Sequence, residues 1–223
     1  EYGNRVGFWR FLKVYDEFKI PGVMNINGVA VEAYREIVQA CVERKWEFIG
    51  HGYTQRNMQA VEDEAEDIRR TTEVIKAFTG KAPRGWLSPA LSETVRTLDI
   101  LAESGIEYVG NWVNDDQPYP MKVKKCTMHA MPYSSEINDI PAMLGHHKSG
   151  EEFAQMIRDQ FDVLYEDGAK TGRVMSICTH PFLVGVPHRS KYFAAALAHI
   201  RSRQEVWITT GSEILDHYKK ATA

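Results

Sequence analysis

Seven short runs suited to strands are separated, in most cases, by amphipathic helical stretches, and this alternation constrains the fold more than any other feature of the chain. Each strand–helix–strand step implies parallel strands joined by a right-handed crossover, because a twisted strand feeding a right-handed helix packs back onto the sheet only that way. The strand candidates are Val23–Ile26, Glu47–Gly50, Gly85–Leu87, Tyr108–Trp112, an extended stretch over 122–133, Val174–Thr179 and Val206–Thr209. Between them, apolar residues recur at helical spacing. One stripe runs Phe8, Phe11, Leu12, Tyr15 and Phe18, and Pro21 stops it. Further helices are expected near 30–45 (Val31, Tyr34, Ile37, Val38, Cys41), near 60–79, from Ser92 to Gly105, near 150–167, near 190–202 and after Thr210. Their ends carry local signals. Gly80 and Gly105 suit the left-handed residue after a helix, Ser92 is an N-cap candidate, and Ser149-x-x-Glu152 and Thr210-x-x-Glu213 read as capping boxes.

The opening helix must cover a sheet with its aromatic stripe, yet no strand precedes it. A first strand is therefore expected upstream of Glu1. The 223 residues fit one domain, 1–223. The expected class is α/β, a distorted (β/α)7-type barrel with its first strand missing. A barrel is favoured over a doubly wound sheet because chemically rich loops follow nearly every strand and do not gather at one switch point.

The two ends of the units differ in chemistry. Loops after helices, such as Lys19-Ile20-Pro21 and Lys81-Ala82-Pro83, are turns with solvated charge. Loops after strands carry His51-Gly52-Tyr53-Thr54-Gln55, Ser88-Pro89, Asn114-Asp115-Asp116-Gln117, Tyr133 to Asp139, and His180-Pro181-Phe182. In parallel α/β folds, ligands and catalysis sit at the carboxyl ends of the strands. His51 and His180 are thus candidate catalytic groups expected to converge on one cavity, since an imidazole suits proton transfer or metal ligation. The bland alternative for His51 is a histidine that caps a strand and bonds backbone. A carboxylate from Asp115, Asp116 or Glu136 is the candidate for activating water; a turn before Pro118, or a solvated loop, is the alternative. Gln55, Trp86, Trp112, Tyr133, Asn138 and Asp139 are candidate substrate contacts, with the aromatic three lining an apolar pocket. Cys178 could be a nucleophile, but a small buried apolar role suits it better.

Other classes are disfavoured. A net charge of −3 gives no bulk attraction for nucleic acid or anionic membrane. No apolar run reaches the roughly 20 residues of a membrane span. Three cysteines, none in a C-x-x-C pair, argue against a disulfide framework or a structural zinc site. A reducing, cytoplasmic location is the default.

These strand-end residues, in this order, resemble the polysaccharide deacetylase (NodB-like) family, and in particular its allantoinase-like branch. The matching stretches are Arg5-Val6-Gly7, Glu47 to Gly52, Arg84 to Pro89, Asn114 to Pro118, Glu136 to Pro141 and Thr179-His180-Pro181. The resemblance covers essentially the whole chain. It implies a distorted barrel, a carbon–nitrogen hydrolase and a small-molecule substrate, and relatives of this type are often homo-oligomers. Deacetylases of the family hold a divalent metal, zinc, through a first-strand aspartate and an H-x-x-x-H pair. By position, His51 matches the first metal histidine and His180 the acid histidine. The departures are Gln55 at the second metal histidine, Leu87 where an arginine is expected, and no first strand with its aspartates. One matched ligand of three falls short of a catalytic zinc site. The expected activity is therefore hydrolysis of a small amide, ureide or N-acyl substrate, with no cofactor or at most a single divalent metal. The alternatives are metal-dependent N-deacetylation of polysaccharides or chitooligosaccharides, and a non-catalytic relative that binds a small ligand.

Overall fold

A computed structural model describes residues 1–124 and 126–222 of the chain. Position 125, inside the expected extended run 122–133, lies outside the described residues. Contacts within the chain divide it into two units. One comprises 21–131 with 209–223, the other 1–20 with 132–208.

The first unit holds the sheet. Its strands are β1 (Val23–Ile26), β2 (Glu47–Gly50), β3 (Gly85–Trp86), β4 (Tyr108–Val109), β5 (Tyr119–Lys122) and β6 (Thr127–Ala130). They lie in the order β1-β2-β3-β4-β6-β5. All neighbours are parallel except β5 and β6, which pair antiparallel with Pro120 opposite His129. The expected single run over 122–133 is thus the second half of a hairpin. Proline obscured its first half, because Pro120 cannot donate to a ladder. An edge strand such as β5 tolerates that loss.

Between the strands lie α2 (Gly28–Ala33), α3 (Arg35–Glu43), α4 (Glu64–Thr79) and α5 (Thr97–Glu103). The helix expected near 30–45 breaks at Tyr34, whose φ of −123° is not helical. Gly80 and Gly105 adopt φ of 79° and 85°, as helix-terminating residues without a Cβ do. Ser92 does not cap α5. Its hydroxyl is already committed, donating to the Pro89 carbonyl at 2.7 Å and accepting from the Met58 amide at 2.8 Å. The helix waits until Thr97. The last helix, α8 (Gly211–Ala221), starts after Thr210, but the expected capping box is not formed: Glu213 bonds the Thr209 hydroxyl instead. The carboxylate of Glu47 holds the start of α8, accepting from the Ser212 amide at 3.1 Å and from the Tyr108 hydroxyl at 2.7 Å.

The core of this unit gathers Met58, Ile68, Trp86, Ile100, Leu101, Ile106, Val109 and Met128. Trp86 is 0% exposed, and a Cβ added at Gly50 would collide with its ring. The sequence expectation that Trp86 lines a ligand pocket is corrected accordingly: its indole fills the interior between strands and helices.

The second unit is helical: α1 (Phe8–Phe18), α6 (Gly150–Gly168) and α7 (Pro187–Arg201). The aromatic stripe of α1 meets a helix here. Phe11 stacks on Phe193 of α7 with ring centroids 5.7 Å apart. The capping box of α6 is formed, with the Ser149 hydroxyl accepting from the Glu152 amide at 3.2 Å and the Glu152 carboxylate from the Ser149 amide at 2.8 Å. Replacing Ser149 by Ala is expected to cost about 0.5–2 kcal/mol in denaturant unfolding, the range for a lost N-cap; a change below about 0.2 kcal/mol would show that the box contributes nothing.

The strands expected at 174–179 and 206–209 are not formed among the described residues. The first contributes one bridge, Cys178 to Asn138. Strand propensity needs a ladder partner along its length to become a strand, and among the described residues only that one bridge forms. The α/β class with a parallel sheet is therefore as expected, while the sheet itself is open.

Candidate active site

The bridge between Asn138 and Cys178 organises the chemistry of the helical unit. The Cys178 amide donates to the Ile137 carbonyl at 3.0 Å, and the Asp139 amide donates to the Cys178 carbonyl at 3.1 Å. Two residues beyond Cys178, this alignment puts His180 beside Asp139. The Asp139 carboxylate accepts from the His180 backbone amide at 2.7 Å and pairs with the ring Nδ1 at 2.6 Å. Asp139 is fully buried, whereas a third of the His180 side chain is exposed. Burial pushes the Asp139 carboxyl above its ordinary range, and its bonds to His180 oppose that shift. A carboxylate on Nδ1 fixes the tautomer and the ring orientation, leaving Nε2 to act outward.

The surrounding loop is backed by main chain. The amides of Leu183 and Val184 donate to the His180 carbonyl at 2.9 and 3.1 Å. Gly7 and Gly185 approach the Pro181 carbonyl too closely for any side chain. Tyr133 and Asn138 belong to the same group, the amide of Asn138 donating to the Tyr133 hydroxyl at 2.8 Å. Burial pushes the Cys178 thiol up to about 11. It stays protonated near neutrality and is no nucleophile.

His51 follows β2 in the sheet unit and is partly exposed. Its Nδ1 bonds the Leu87 carbonyl. A carbonyl only accepts, so Nδ1 carries the proton and Nε2 keeps its lone pair. The Gln55 amide lies 3.2 Å from that Nε2 and donates to it. Asn27 tethers the peptide, donating to the His51 carbonyl at 2.5 Å.

Other expected residues are placed differently. Asp115 is exposed and accepts from the Gln117 amide at 3.0 Å, which is turn chemistry. Asp116 and Glu136 are exposed. Asp139, expected to touch substrate, is sealed from solvent and instead orients His180. Trp112, expected to line a ligand pocket, is 41% exposed, with its indole N–H donating to Glu93 at 3.1 Å. Glu93 was missed by sequence reasoning. It sits in a helix-start pattern with Ser92, and nothing in that pattern announces a half-buried acid.

A family model for polysaccharide deacetylases matches residues 1–109. A Schizosaccharomyces pombe protein assigned as a polysaccharide deacetylase is 31% identical over 96% of this chain and 73% of its own length. The chain belongs to the polysaccharide deacetylase family. A peptidoglycan deacetylase of Helicobacter pylori is 25% identical over 98% of this chain and 86% of its own. Among solved structures, PuuE allantoinase superposes with a TM-score of 0.91 at 28% identity, covering 98% of this chain and 74% of that one. A Pseudomonas aeruginosa PAO1 protein assigned to the deacetylases gives 0.90 at 28% identity, over 99% and 75%. The fold is thus the NodB-like α/β fold. The reaction class that goes with this deacetylase family is hydrolysis of carbon–nitrogen bonds, on a small-molecule or carbohydrate substrate. No helix among the described residues is long and apolar enough to cross a membrane.

Zinc, implied by the resemblance to metal-dependent deacetylases, does not fit the donors present. Position 55 offers an amide that already donates to His51. Among the described residues, no three His, Cys, Asp or Glu side chains gather to hold a metal. A catalytic zinc needs three protein ligands.

Proposed function

We propose that this protein hydrolyses a carbon–nitrogen bond of a small amide, ureide or N-acyl substrate, with proton transfer carried by His180. The observation behind this reading is the Asp139–His180 pair, a buried carboxylate holding a partly exposed imidazole by both its ring and its backbone. In that arrangement Nε2 takes a proton from the attacking water. Asp139 compensates the positive charge while the ring holds it, and Nε2 returns the proton to the departing nitrogen. Being sealed, Asp139 is a positioning residue and does not meet the substrate.

In the sheet unit, His51 has Nδ1 committed to the Leu87 carbonyl and Nε2 facing the Gln55 amide, so a substrate N–H meets that nitrogen only by displacing Gln55. Polarising a carbonyl would require a second proton on the ring. The likeness to PuuE allantoinase supports a ureide among the candidate substrates, and the peptidoglycan deacetylase likeness supports an N-acetylated sugar. Cytoplasmic location and a homo-oligomeric state belong to the same reading.

The test is a panel of allantoin, hydantoin and N-acetylated chitooligosaccharides offered to the purified protein. Turnover is expected on at least one, and none on any would sink the reading. Activity is further expected to survive prolonged chelation by EDTA with less than a twofold loss. Abolition by EDTA with recovery on adding zinc would replace the metal-free mechanism by the metal-dependent one.

A further inference from the structure

We infer that Glu93 is a substrate-contacting carboxylate that accepts a hydrogen bond from an N–H group of a small amide or ureide, an inference that rests on the hydrolase reading. The argument lies wholly within the sheet unit. The carboxyl ends of β2, β3 and β4 are level there, with Gly50 opposite Trp86 and Trp86 opposite Val109. Just past those ends, the Ser88 amide donates to the Asn111 side-chain oxygen at 2.7 Å. The Asn111 amide nitrogen donates back to the Ser88 hydroxyl at 3.0 Å and to Glu93 Oε1 at 2.7 Å. The Trp112 indole N–H donates to the same oxygen at 3.1 Å. One carboxylate oxygen is therefore anchored twice, and no described residue bonds Oε2. The face is the one that carries His51, whose Nδ1 bonds the carbonyl of Leu87, the residue before Ser88.

A structural role does not account for this arrangement. Glu93 caps no helix, and no described lysine or arginine pairs with it, although half-buried carboxylates are normally matched by a cation. Burial lifts its carboxyl above the ordinary range, with the Asn111 and Trp112 bonds opposing. The loop that presents it is strained as well: Ala90 and Leu91 both take positive φ, 54° and 55°, which residues with a Cβ rarely adopt. Beside the acid lies the indole of Trp112, 41% exposed, an apolar surface for a small planar ligand. An anchored acid with one open acceptor, next to an exposed ring, matches a neutral N–H donor on a flat amide or ureide. Sugar hydroxyls share the donor chemistry but not the planarity.

The variant Glu93→Gln keeps size and leaves an oxygen to accept from Asn111 and Trp112, but turns the open acceptor into a donor. Calorimetric binding of hydantoin, allantoin and an N-acetylglucosamine oligomer is measured for wild type and variant, alongside turnover and circular dichroism. Wild type is expected to bind a ureide and the folded variant to bind it at least tenfold more weakly, with KM rising in step. Loss of binding in the variant without turnover in the wild type would uphold this role while removing the hydrolase reading. Equal binding by both proteins, a preference confined to the sugar, or no binding of any probe by wild type would overturn it.

Discussion

Replacing His180 by Ala lowers turnover about 10²–10⁴-fold with little change in stability, the range for removing a general acid–base group. The geometry narrows the expectation further, through Asp139. That carboxylate meets two donors of the same residue, the ring Nδ1–H at 2.6 Å and the backbone amide at 2.7 Å. An asparagine there supplies one acceptor and one donor. Either a donor faces a donor, or the imidazole shifts its proton to Nε2 and loses the lone pair that accepts from water. Asp139→Asn should therefore lose activity nearly as steeply as His180→Ala, although it never touches substrate. The double variant should lose little beyond the worse single one, because groups that act as a unit are non-additive. Steady-state kinetics on the purified, folded variants decide the matter. An Asp139→Asn protein within threefold of wild type would remove the dyad from the mechanism.

Truncating Trp86 to Ala destabilises the fold by about 3–5 kcal/mol, as expected for a large aromatic in a close-packed core. For a chain of this size that corresponds to a fall in Tm of roughly 6–20 °C. The cost follows from its surroundings. The ring is 0% exposed among Met58, Ile68, Leu101, Ile106, Val109 and Met128, and its N–H donates to the Ser88 hydroxyl at 3.0 Å. Gly50 is bare on the neighbouring strand, where any Cβ would strike that ring, so no adjacent side chain stands ready to fill the void. The same experiment separates a core residue from a pocket wall. Trp86→Phe, which keeps most of the packing, should leave KM unchanged per folded molecule. A raised KM with normal stability would return Trp86 to the ligand.

Much of the architecture was legible locally. Periodicity of 3.6 located α1, α4, α6 and α7, and short apolar runs located β1 to β4, because helix faces and buried strands impose those patterns on neighbouring residues. Capping is equally local, and Ser149–Glu152 behaves as its spacing implies. The failures share a cause. Ser92 and Thr210 have the right residue type for an N-cap, but Ser92 answers to Met58, distant in sequence, and at the last helix Glu213 bonds Thr209. Val174–Thr179 has the composition of a strand but pairs only through the single bridge at Cys178. Trp86 was misjudged because strand-end position and full burial coincide at a residue whose ring turns inward.

For the site, position after a strand was enough to single out His51, which follows β2, whereas the run that drew attention to His180 forms only the bridge between Cys178 and Asn138. Sequence also specified the amide at position 55, which breaks the H-x-x-x-H pair and with it a three-ligand metal site. The partner of His180 could not be read. Asp139 lies 41 residues away, and only the bridge between Asn138 and Cys178 brings it alongside. Nor could the anchoring of Glu93 by Asn111 and Trp112, which depends on two strand-end loops meeting in space. The chain by itself determined most of the helices, strands β1 to β4, the glycine stops and the Ser149 cap, because those are set by residues within a turn or two of each other. Which carboxylate is sealed, which imidazole nitrogen carries the proton and which acid is left with an open oxygen were decided by tertiary structure alone, because burial and hydrogen-bond partnership are properties of segments distant in sequence.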